Sequence, residues 1–268
     1  MSITDLLHLS KNQLNKFVTS LKVYKNFLLG INVSTLLSLV IIFLLNRKVY
    51  YVIEKVFKDK LTYLDVPALI DLYKSVNELE RSKREGIIIE AGCALGGSAL
   101  VIAASKKKKT RKFYVYDVFG MPPPPSEENG KDAHERYKII ASGKSRGIGG
   151  NKYYGYEEDL LAKVKKTFSD FHLPPDQNNV YFVKGLFENT LFLNEPVALA
   201  HIDCDWYKSV MICLQRIVPN LTEGGVLIID DYYKWEGCRK AVETYFADKK
   251  DKFRFVKKSR LHIVRVHR

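Results

Sequence analysis

The chain has 268 residues, of which 46% are hydrophobic and 27% charged, and its 43 Lys and Arg against 30 Asp and Glu give a net charge of +13. This composition excludes a disordered or fibrous protein, and the length suits one large domain with an additional segment. The four cysteines show neither CxxC spacing nor a zinc-type histidine pattern. Their spacing argues against a disulfide scaffold and a structural zinc site, and it favours a reducing compartment.

An uncharged apolar stretch dominates the N-terminal part of the chain. Residues 27–45 carry no charged side chain over 19 positions, and basic residues flank them on both sides. A helix needs about 20 apolar residues to cross the core of a bilayer. We therefore expect an N-terminal helical region at 1–60 with a transmembrane helix at 27–45, membrane association, and a catalytic domain in the cytoplasm. The alternative is a buried helix in a cytoplasmic protein.

From residue 61 on, apolar runs alternate with amphipathic stretches. Asp65 followed by Pro67 indicates a helix start, because Asp caps helix N-termini and Pro fits the first turn. Residues 86–90 form a short apolar run typical of a strand buried on both faces. The alternation predicts an α/β domain over 61–268, with a doubly wound, mostly parallel sheet wrapped by helices. Further strands are expected at 113–116, 180–183, 197–202, 226–229 and 261–266, and helices at 98–105, 157–169, 206–218 and 237–247.

One long connection, 121–156, interrupts this alternation. A connection of this length inside a compact domain is usually a lid or a substrate-binding loop, and disorder is the alternative. Its basic and aromatic side chains could clamp an acidic or phosphorylated sugar, although a solvated charged face is the simpler explanation. The side chains in question are Lys144, Arg146, Lys152, Tyr153 and Tyr154.

A glycine-rich turn at 90–98 (EAGCALGGS) connects the first strand of the domain to a helix. Glycines permit a tight turn and let a ligand approach the free N–H groups of the helix N-terminus. Asp117 ends the next strand, where an acidic side chain can accept both hydroxyls of a ribose. The spacing is not GxGxxG and there is no Walker lysine, so a nucleoside-bearing cofactor is indicated and S-adenosylmethionine is favoured over NAD. A purely structural turn is the alternative.

Four carboxylates follow two later strands of the domain. Asp203 and Asp205 come after the strand at 197–202, and Asp230 and Asp231 after the strand at 226–229. Neighbouring parallel strands bring such side chains to one crevice, where their mutual repulsion calls for a hard divalent cation. Mg²⁺ fits, because it takes a few protein oxygens and keeps open positions for substrate oxygens or water. Asp205 alone could instead cap the helix that follows it.

Taken in order, these motifs resemble the macrocin O-methyltransferase (TylF) family of class I, S-adenosylmethionine-dependent and Mg²⁺-dependent enzymes that methylate sugar hydroxyls. The resemblance covers about residues 61–268. It rests on the series at 90–98 (EAGCALGGS), 117–122 (DVFGMP), 185–191 (GLFENTL), 203–209 (DCDWYKS), Pro219 to Gly225, 230–232 (DDY) and 238–242 (CRKAV). Val210 stands where the family commonly has Thr, and the loop at 126–156 is longer and more basic than expected of the family.

The resemblance implies roles for specific residues. Gly92 and Asp117 would hold the cofactor, and Asp203, Asp230 and Asp231 would ligate Mg²⁺. The full set of candidate cofactor-binding residues is Glu90, Gly92, Gly96, Ser98, Asp117 and Phe119.

The catalytic candidates are Asp203, Asp205 and His201. A base must remove the proton of the acceptor hydroxyl, and the sequence leaves this role open between Asp205 and His201. His201 lies two residues before Asp203 and is also consistent with a packed strand residue that points away from the site.

The resulting functional hypothesis is a Mg²⁺-dependent O-methyltransferase that acts on a hydroxyl of a sugar or glycoconjugate. The alternative is a membrane-anchored glycosyltransferase with a metal-binding Asp-x-Asp motif at 203–205. A nucleic-acid partner is not expected, because the basic charge is spread along the chain rather than arranged as a stripe with aromatic residues. The sequence leaves the acceptor and the oligomeric state, a homo-oligomer included, open.

Overall fold

The computed structural model describes residues 32–266. The chain forms two compact units, Met1–Tyr51 and Val52–Arg268. The described part of the first unit contains helix α1 (Val33–Leu45), and helix α2 (Arg47–Lys58) begins in it.

Helix α1 is shorter than the helix expected at 27–45. It begins after Asn32, whose side chain accepts the N–H of Thr35 at 2.9 Å, and it ends at Asn46. Its 13 residues span about 20 Å, whereas a bilayer core is about 30 Å thick. Within residues 32–266 no helix has the length and apolar character needed to span a membrane. The transmembrane prediction is therefore not supported, and positions 27–31 lie outside the described residues.

Seven strands within residues 32–266 build the second unit: β1 (Ile87–Ala91), β2 (Phe113–Asp117), β3 (Val180–Lys184), β4 (Val197–Ile202), β5 (Leu221–Ile229), β6 (Phe253–Lys257) and β7 (Leu261–Arg265). They form one sheet in the order β3-β2-β1-β4-β5-β7-β6. Strands β1 to β5 run parallel, and β7 pairs antiparallel with both β5 and β6. The prediction of a mostly parallel α/β sheet is confirmed.

Helices cover the sheet between the strands. They are α3 (Val66–Arg81), α4 (Gly97–Ser105), α5 (Lys131–Ala141), α6 (Leu160–Asp170), α7 (Phe187–Thr190), α8 (Tyr207–Ile217) and α9 (Glu236–Tyr245). As the sequence predicts, Asp65 caps α3, and its side chain accepts the N–H of Ala68 at 2.9 Å. One hydrophobic core joins α8 and α9 to strands β1, β4, β5 and β7, with Phe246 and Leu214 fully buried in it. Burial of these apolar side chains holds the strand ends in fixed positions.

Several elements differ from the sequence-based expectation, among them the short helix α7, the early start of β5, strand β6 and helix α5. Strand β6 was not expected, because its sequence FRFVK has no regular alternation of polar and apolar residues, and at the edge of the sheet it buries only Phe253. Helix α5 lies inside the connection at 121–156, where no helix was expected. The sequence of α5, KDAHERYKIIA, buries only Ala133 and Ile140 and therefore lacks a strong apolar stripe.

Hydrogen bonds fold the connection at 121–156 onto itself. The hydroxyl of Tyr156 donates to the carbonyl oxygen of Ile140 at 2.6 Å and accepts the N–H of Ser145 at 3.1 Å. Arg146 and Lys152 form an antiparallel bridge between these contacts. The end of α5 is thereby tied to the last turn of the connection.

Candidate active site

A cavity of about 360 Å³ lies at the carboxyl ends of β1, β2, β4 and β5. Gly92, Asp117, Asp203 and Asp230 directly follow or end these four strands, and all four line the cavity. Parallel strands place their carboxyl ends at the same edge of the sheet, so residues distant in sequence meet there. The connection at 121–156 and the turn between β6 and β7 supply further walls of the cavity.

The glycine-rich turn passes very close to the end of β4. Gly92 has φ +88°, and a Cβ atom on it would lie 1.9 Å from the carbonyl oxygen of Asp203. A side chain at this position is therefore excluded by both backbone conformation and contact. Ala94 also adopts a left-handed conformation, with φ +46°. The turn is shaped so that bare backbone faces the cavity.

Asp117 lines the cavity, but its carboxylate also holds the turn. Oδ2 accepts the N–H groups of Cys93 at 2.8 Å and Ala94 at 3.2 Å, and Oδ1 accepts the N–H of Phe119 at 2.7 Å. A carboxylate offers about four acceptor positions. Backbone N–H groups occupy three of them and the Cys93 thiol also hydrogen-bonds to this carboxylate, so Asp117 braces the turn as well as facing the cavity. That Asp117 accepts both hydroxyls of a ribose stays a prediction.

Three carboxylates converge as the sequence predicts. One oxygen each of Asp203, Asp230 and Asp231 lies within 4.8 Å of the other two. Asp205 lines the same cavity, and its N–H donates to Oδ2 of Asp231 at 3.3 Å. Asp205 does not cap α8, because the residue at that cap is Trp206, whose side chain makes no capping hydrogen bond.

The carboxylates differ in their electrostatic surroundings. Burial raises the pKa of Asp203 and Asp231 well above its usual range, and the neighbouring carboxylates raise it further. Burial acts the same way on Asp230, but His201 and Arg260 outweigh it and lower the pKa of Asp230. Nε of Arg260 lies 2.7 Å from Oδ1 of Asp230. Asp230 is thus paired with Arg260, whereas within residues 32–266 neither Asp203 nor Asp231 forms an ion pair, and only the more distant charge of Lys234 acts on Asp231.

His201 and Glu90 lie beneath the carboxylates and do not line the cavity. Both side chains are fully buried, and Nδ1 of His201 lies 2.9 Å from Oε1 of Glu90. Nε2 of His201 is 3.8 Å from Oδ1 of Asp230. Burial alone would lower the pKa of His201, but the hydrogen bonds to Asp230 and Glu90 raise it to about 9. This position lets His201 and Glu90 support Asp230, and the catalytic role of His201 and the cofactor-binding role of Glu90 stay predictions.

Three further candidates for cofactor contact also lie outside the cavity wall. Gly96 faces α6, where a Cβ atom would meet the side chain of Val164 at 2.9 Å. Ser98 is buried in the first turn of α4. The ring of Phe119 packs against that of Phe182, with centroids 5.9 Å apart. These residues shape the turn and its support, and only Gly92 and Asp117 of the six line the cavity.

The geometry agrees with a comparison of whole sequences. The macrocin O-methyltransferase (TylF) family matches residues 62–253. The chain belongs to this family.

Several relatives of the chain are named as O-methyltransferases. The 8-demethyl-8-(2,3-dimethoxy-alpha-L-rhamnosyl)-tetracenomycin-C 4'-O-methyltransferase of Streptomyces olivaceus is 31% identical over 166 residues, which are 60% of this chain and 58% of that protein. The mycinamicin III 3''-O-methyltransferase of Micromonospora griseorubida is 29% identical over 69% of each chain. The aligned region spans less than two thirds of the tetracenomycin enzyme. None of these matches supports the alternative of a glycosyltransferase.

Solved structures show the same fold. The O-methyltransferase NovP superposes with a TM-score of 0.65 at 21% identity, over 77% of this chain and 83% of that chain. The calicheamicin methyltransferase CalS11 gives a TM-score of 0.56 at 16% identity, over 82% and 91% of the two chains. The TylF-family domain described here therefore has the class I methyltransferase α/β fold.

Several residues of the cavity wall escaped the sequence analysis of this TylF-family chain. Arg260 comes from the turn between β6 and β7, and no motif marks it. Trp206 and Trp235 pack edge to face with centroids 5.4 Å apart, and both follow the carboxylate motifs closely enough for the motifs to have indicated them. Arg136 and Tyr63 also line the cavity. By contrast, Lys144, Arg146 and Lys152 are exposed and lie outside its wall.

Proposed function

We propose that this chain is an S-adenosylmethionine-dependent O-methyltransferase that acts on a hydroxyl of a sugar or glycoconjugate with the help of Mg²⁺. The observation that carries the proposal is one cavity in which a bare glycine-rich turn and Asp117 face three convergent carboxylates. The named activities of relatives that match about two thirds of the chain support the reaction class. The tetracenomycin relative is named for a rhamnosyl compound, which supports a sugar hydroxyl as the acceptor.

The three carboxylates fit a divalent cation by charge and by spacing. Their closest oxygens are separated by no more than 4.8 Å, so small side-chain rotations bring them to the bond lengths of about 2.1 Å that Mg²⁺ prefers. Burial disfavours the charged forms of Asp203 and Asp231, and a cation would favour them. Bound there, Mg²⁺ would lower the pKa of an acceptor hydroxyl and fix its direction.

The remaining groups have separate tasks in this proposal. Gly92 and Asp117 would hold the nucleoside part of S-adenosylmethionine, which would supply an electrophilic methyl group to the acceptor oxygen and leave as S-adenosylhomocysteine. Asp205 takes the hydroxyl proton, because it lines the cavity whereas His201 does not. Trp235, which lines the cavity and packs edge to face against the buried Trp206, offers apolar ring surface to a sugar.

The connection at 121–156 acts in this proposal as a lid that excludes water from the reacting atoms. Two contacts support this role. The indole Nε1 of Trp206 donates to the carbonyl oxygen of Pro123 at 3.1 Å, and the N–H of Glu236 donates to Oδ2 of Asp132 at 3.2 Å. They fasten both the start of the connection and α5 beside the residues that follow β4 and β5.

Calorimetric titration of the full chain with S-adenosylmethionine tests the proposal, with UDP-glucose plus Mn²⁺ as the comparison ligand. We expect saturable binding of S-adenosylmethionine and of S-adenosylhomocysteine, and none of UDP-glucose. Transfer of a tritiated methyl group to mixed glycosides should then require Mg²⁺ and stop in excess EDTA. Binding of UDP-glucose alone would refute the proposal, and transfer that is indifferent to EDTA would refute the role of the metal.

A further inference from the structure

Arg136 places a positive charge in the cavity from the connection at 121–156. It lies on α5, its side chain is half-buried, and its guanidinium lies over the ring of Tyr153 at 5.5 Å from the centroid. An interaction with the face of an aromatic ring orients the guanidinium but uses none of its five N–H donors.

The other basic side chains of the cavity wall face acidic partners. Arg260 contacts Asp230 at 2.7 Å, and Lys234 is close enough to Asp205 and Asp231 to act on the pKa of both. Arg136 differs from them. Among residues 32–266, no carboxylate lies within ion-pair distance of Arg136, and no hydrogen bond of its guanidinium is found.

Phenol groups surround the same spot. The rings of Tyr153 and Tyr154 lie 4.4 Å apart, and the ring of Tyr63 lies 6.2 Å from that of Tyr154. Burial raises the pKa of all three phenols, that of Tyr153 to about 12, so each keeps its proton at neutral pH. A planar fork of N–H donors beside protonated phenols is chemically matched to a carboxylate or a phosphate.

The position of this cluster relative to Asp205 relates it to the acceptor. Tyr63, Tyr153 and Tyr154 line the same cavity as Asp205, and the charge of Asp205 acts on the pKa of all three phenols. A hydroxyl that gives its proton to Asp205 brings the rest of its sugar into this neighbourhood. Bound Mg²⁺ and Arg260 would offset the charge of the three metal-binding carboxylates, and the charge of Lys234 acts on Asp205 in the same wall.

We propose that the acceptor is an acidic sugar whose carboxylate or phosphate group is bound by Arg136 with the help of the Tyr63 hydroxyl. The inference rests on the proposed methyl transfer and names the substrate class of that reaction. It assigns to α5 a specificity-determining residue, in addition to the role of the connection as a lid.

The test is an NMR titration of the full chain, saturated with S-adenosylhomocysteine and Mg²⁺, with three probes: D-glucuronate, D-glucose 1-phosphate and the neutral methyl glucoside. We expect at least one acidic probe to bind about tenfold to a hundredfold more tightly than the neutral probe, as a charge-assisted contact predicts. The two acidic probes distinguish a carboxylate from a phosphate. The Arg136→Gln variant should lose the preference, and Arg136→Lys should keep only part of it, because Lys lacks the planar fork.

The Arg146→Gln variant is the matched control, since Arg146 lies in the same connection but is exposed and outside the cavity wall. It should keep the full preference. Equal binding of acidic and neutral probes to the unaltered protein, or no binding of either acid, would overturn the inference. So would a preference that survives Arg136→Gln in a variant with unchanged thermal stability.

A second arm separates an acidic acceptor from the carboxylate of the methyl donor. S-adenosylhomocysteine carries that carboxylate, and 5'-methylthioadenosine lacks it. We expect Arg136→Gln to bind both with unchanged affinity. If the variant loses affinity for S-adenosylhomocysteine alone, Arg136 serves the donor and the inference is wrong. If the unaltered protein binds neither nucleoside, the proposed function itself fails.

Discussion

Two regions of the molecule build the cavity in different ways. The strand-end region (residues 90–92, 117, 201–205, 230 and 231) consists of short segments at the carboxyl ends of β1, β2, β4 and β5. The connection at 121–156 is one continuous segment that contributes α5 and a cluster of tyrosines. The first region places carboxylates and bare backbone, and the second places a guanidinium and phenols.

The two regions are also held by different forces. Backbone pairing between neighbouring strands fixes the geometry of the strand-end region. In this pairing Glu90 lies opposite His201, and His201 lies opposite Ile228. The connection is held by individual contacts, such as the hydrogen bonds of Tyr156 and of Trp206. A ladder fixes many positions at once, whereas single contacts can be altered one by one. We therefore expect reaction chemistry to depend on the first region and acceptor binding on the second.

The largest effect is expected from Asp203→Asn in the strand-end region. Loss of one metal-binding carboxylate should reduce methyl transfer about a thousandfold or more, because several kcal/mol of transition-state stabilisation depend on the cation. Binding of S-adenosylhomocysteine by calorimetry should change little. Asp251→Asn, at an exposed position far along the chain, is the control. If nucleoside affinity falls as steeply as transfer, the metal assignment is wrong.

The next largest effect is expected from replacing a glycine of the strand-end region, with a glycine of the connection as its comparison. Gly92→Ala would force Cβ to 1.9 Å from a backbone oxygen, whereas Gly143, at φ +73°, has no atom within 4 Å of such a Cβ. Gly143→Ala should therefore be destabilised only by the strain of a left-handed backbone at alanine, which lowers the free energy of unfolding by about 1–2 kcal/mol. Gly92→Ala should lose at least twice as much and also weaken S-adenosylhomocysteine binding. Urea denaturation measures both, and similar losses would contradict the close approach of β1 and β4.

The sequence predicts those parts of the fold in which the spacing of apolar residues follows the period of a strand or a helix. The strand expected at 197–202 occurs as Val197–Ile202, and the helix expected at 206–218 occurs as Tyr207–Ile217. Buried apolar runs such as residues 87–89 leave few alternatives to a central strand. The same reasoning failed at 27–45, where Asn32 caps a 13-residue helix inside an uncharged stretch. Uncharged composition does not by itself determine where a helix begins.

The candidate site was predictable where it follows strands. The convergence of Asp203, Asp230 and Asp231 is a property of neighbouring parallel strands and needs no side-chain detail. Sequence alone did not show that Glu90 faces His201 across the ladder, nor that Arg260 reaches Asp230 from an antiparallel turn. Arg136 was missed for a different reason. Which basic residue of a long connection faces the cavity depends on tertiary contacts with no sequence period.

Removing the hydroxyl of Tyr156 should loosen the connection at 121–156 without altering the strand-end region. Tyr156→Phe leaves the carbonyl of Ile140 and the N–H of Ser145 without this partner, at a cost of about 1–3 kcal/mol. Because Ile140 lines the cavity, we expect a raised acceptor KM and an unchanged affinity for S-adenosylhomocysteine. Tyr181→Phe, which removes an exposed hydroxyl bond to Asn179, is the control. A fall in kcat with an unchanged KM would contradict the division of labour between the regions.

The smallest effect on methyl transfer is expected at His262, a buried residue just outside the strand-end region. His262 on β7 pairs with Ile228, which pairs with His201, but it does not line the cavity. Burial, helped by Lys258, lowers the pKa of His262 from 6.5 to about 4. Between pH 4 and pH 6.5 the His262 side chain therefore binds a proton in the unfolded chain but not in the folded protein. The stability due to neutral His262 is complete above pH 6.5 and lost as the pH falls toward 4.

Urea denaturation at pH 7.5 and at pH 5.5 measures this loss. Replacing His262 with Gln removes the titrating group, so the variant should lose about 1 kcal/mol less than the unaltered protein between the two pH values. Methyl transfer at pH 7.5 should remain within about twofold, since no atom of His262 faces the cavity. An equal pH dependence of the two proteins would show that His262 titrates normally. A large loss of transfer would extend the functional region beyond the residues that follow the strands, because a buried strand position would then control the chemistry at the strand ends.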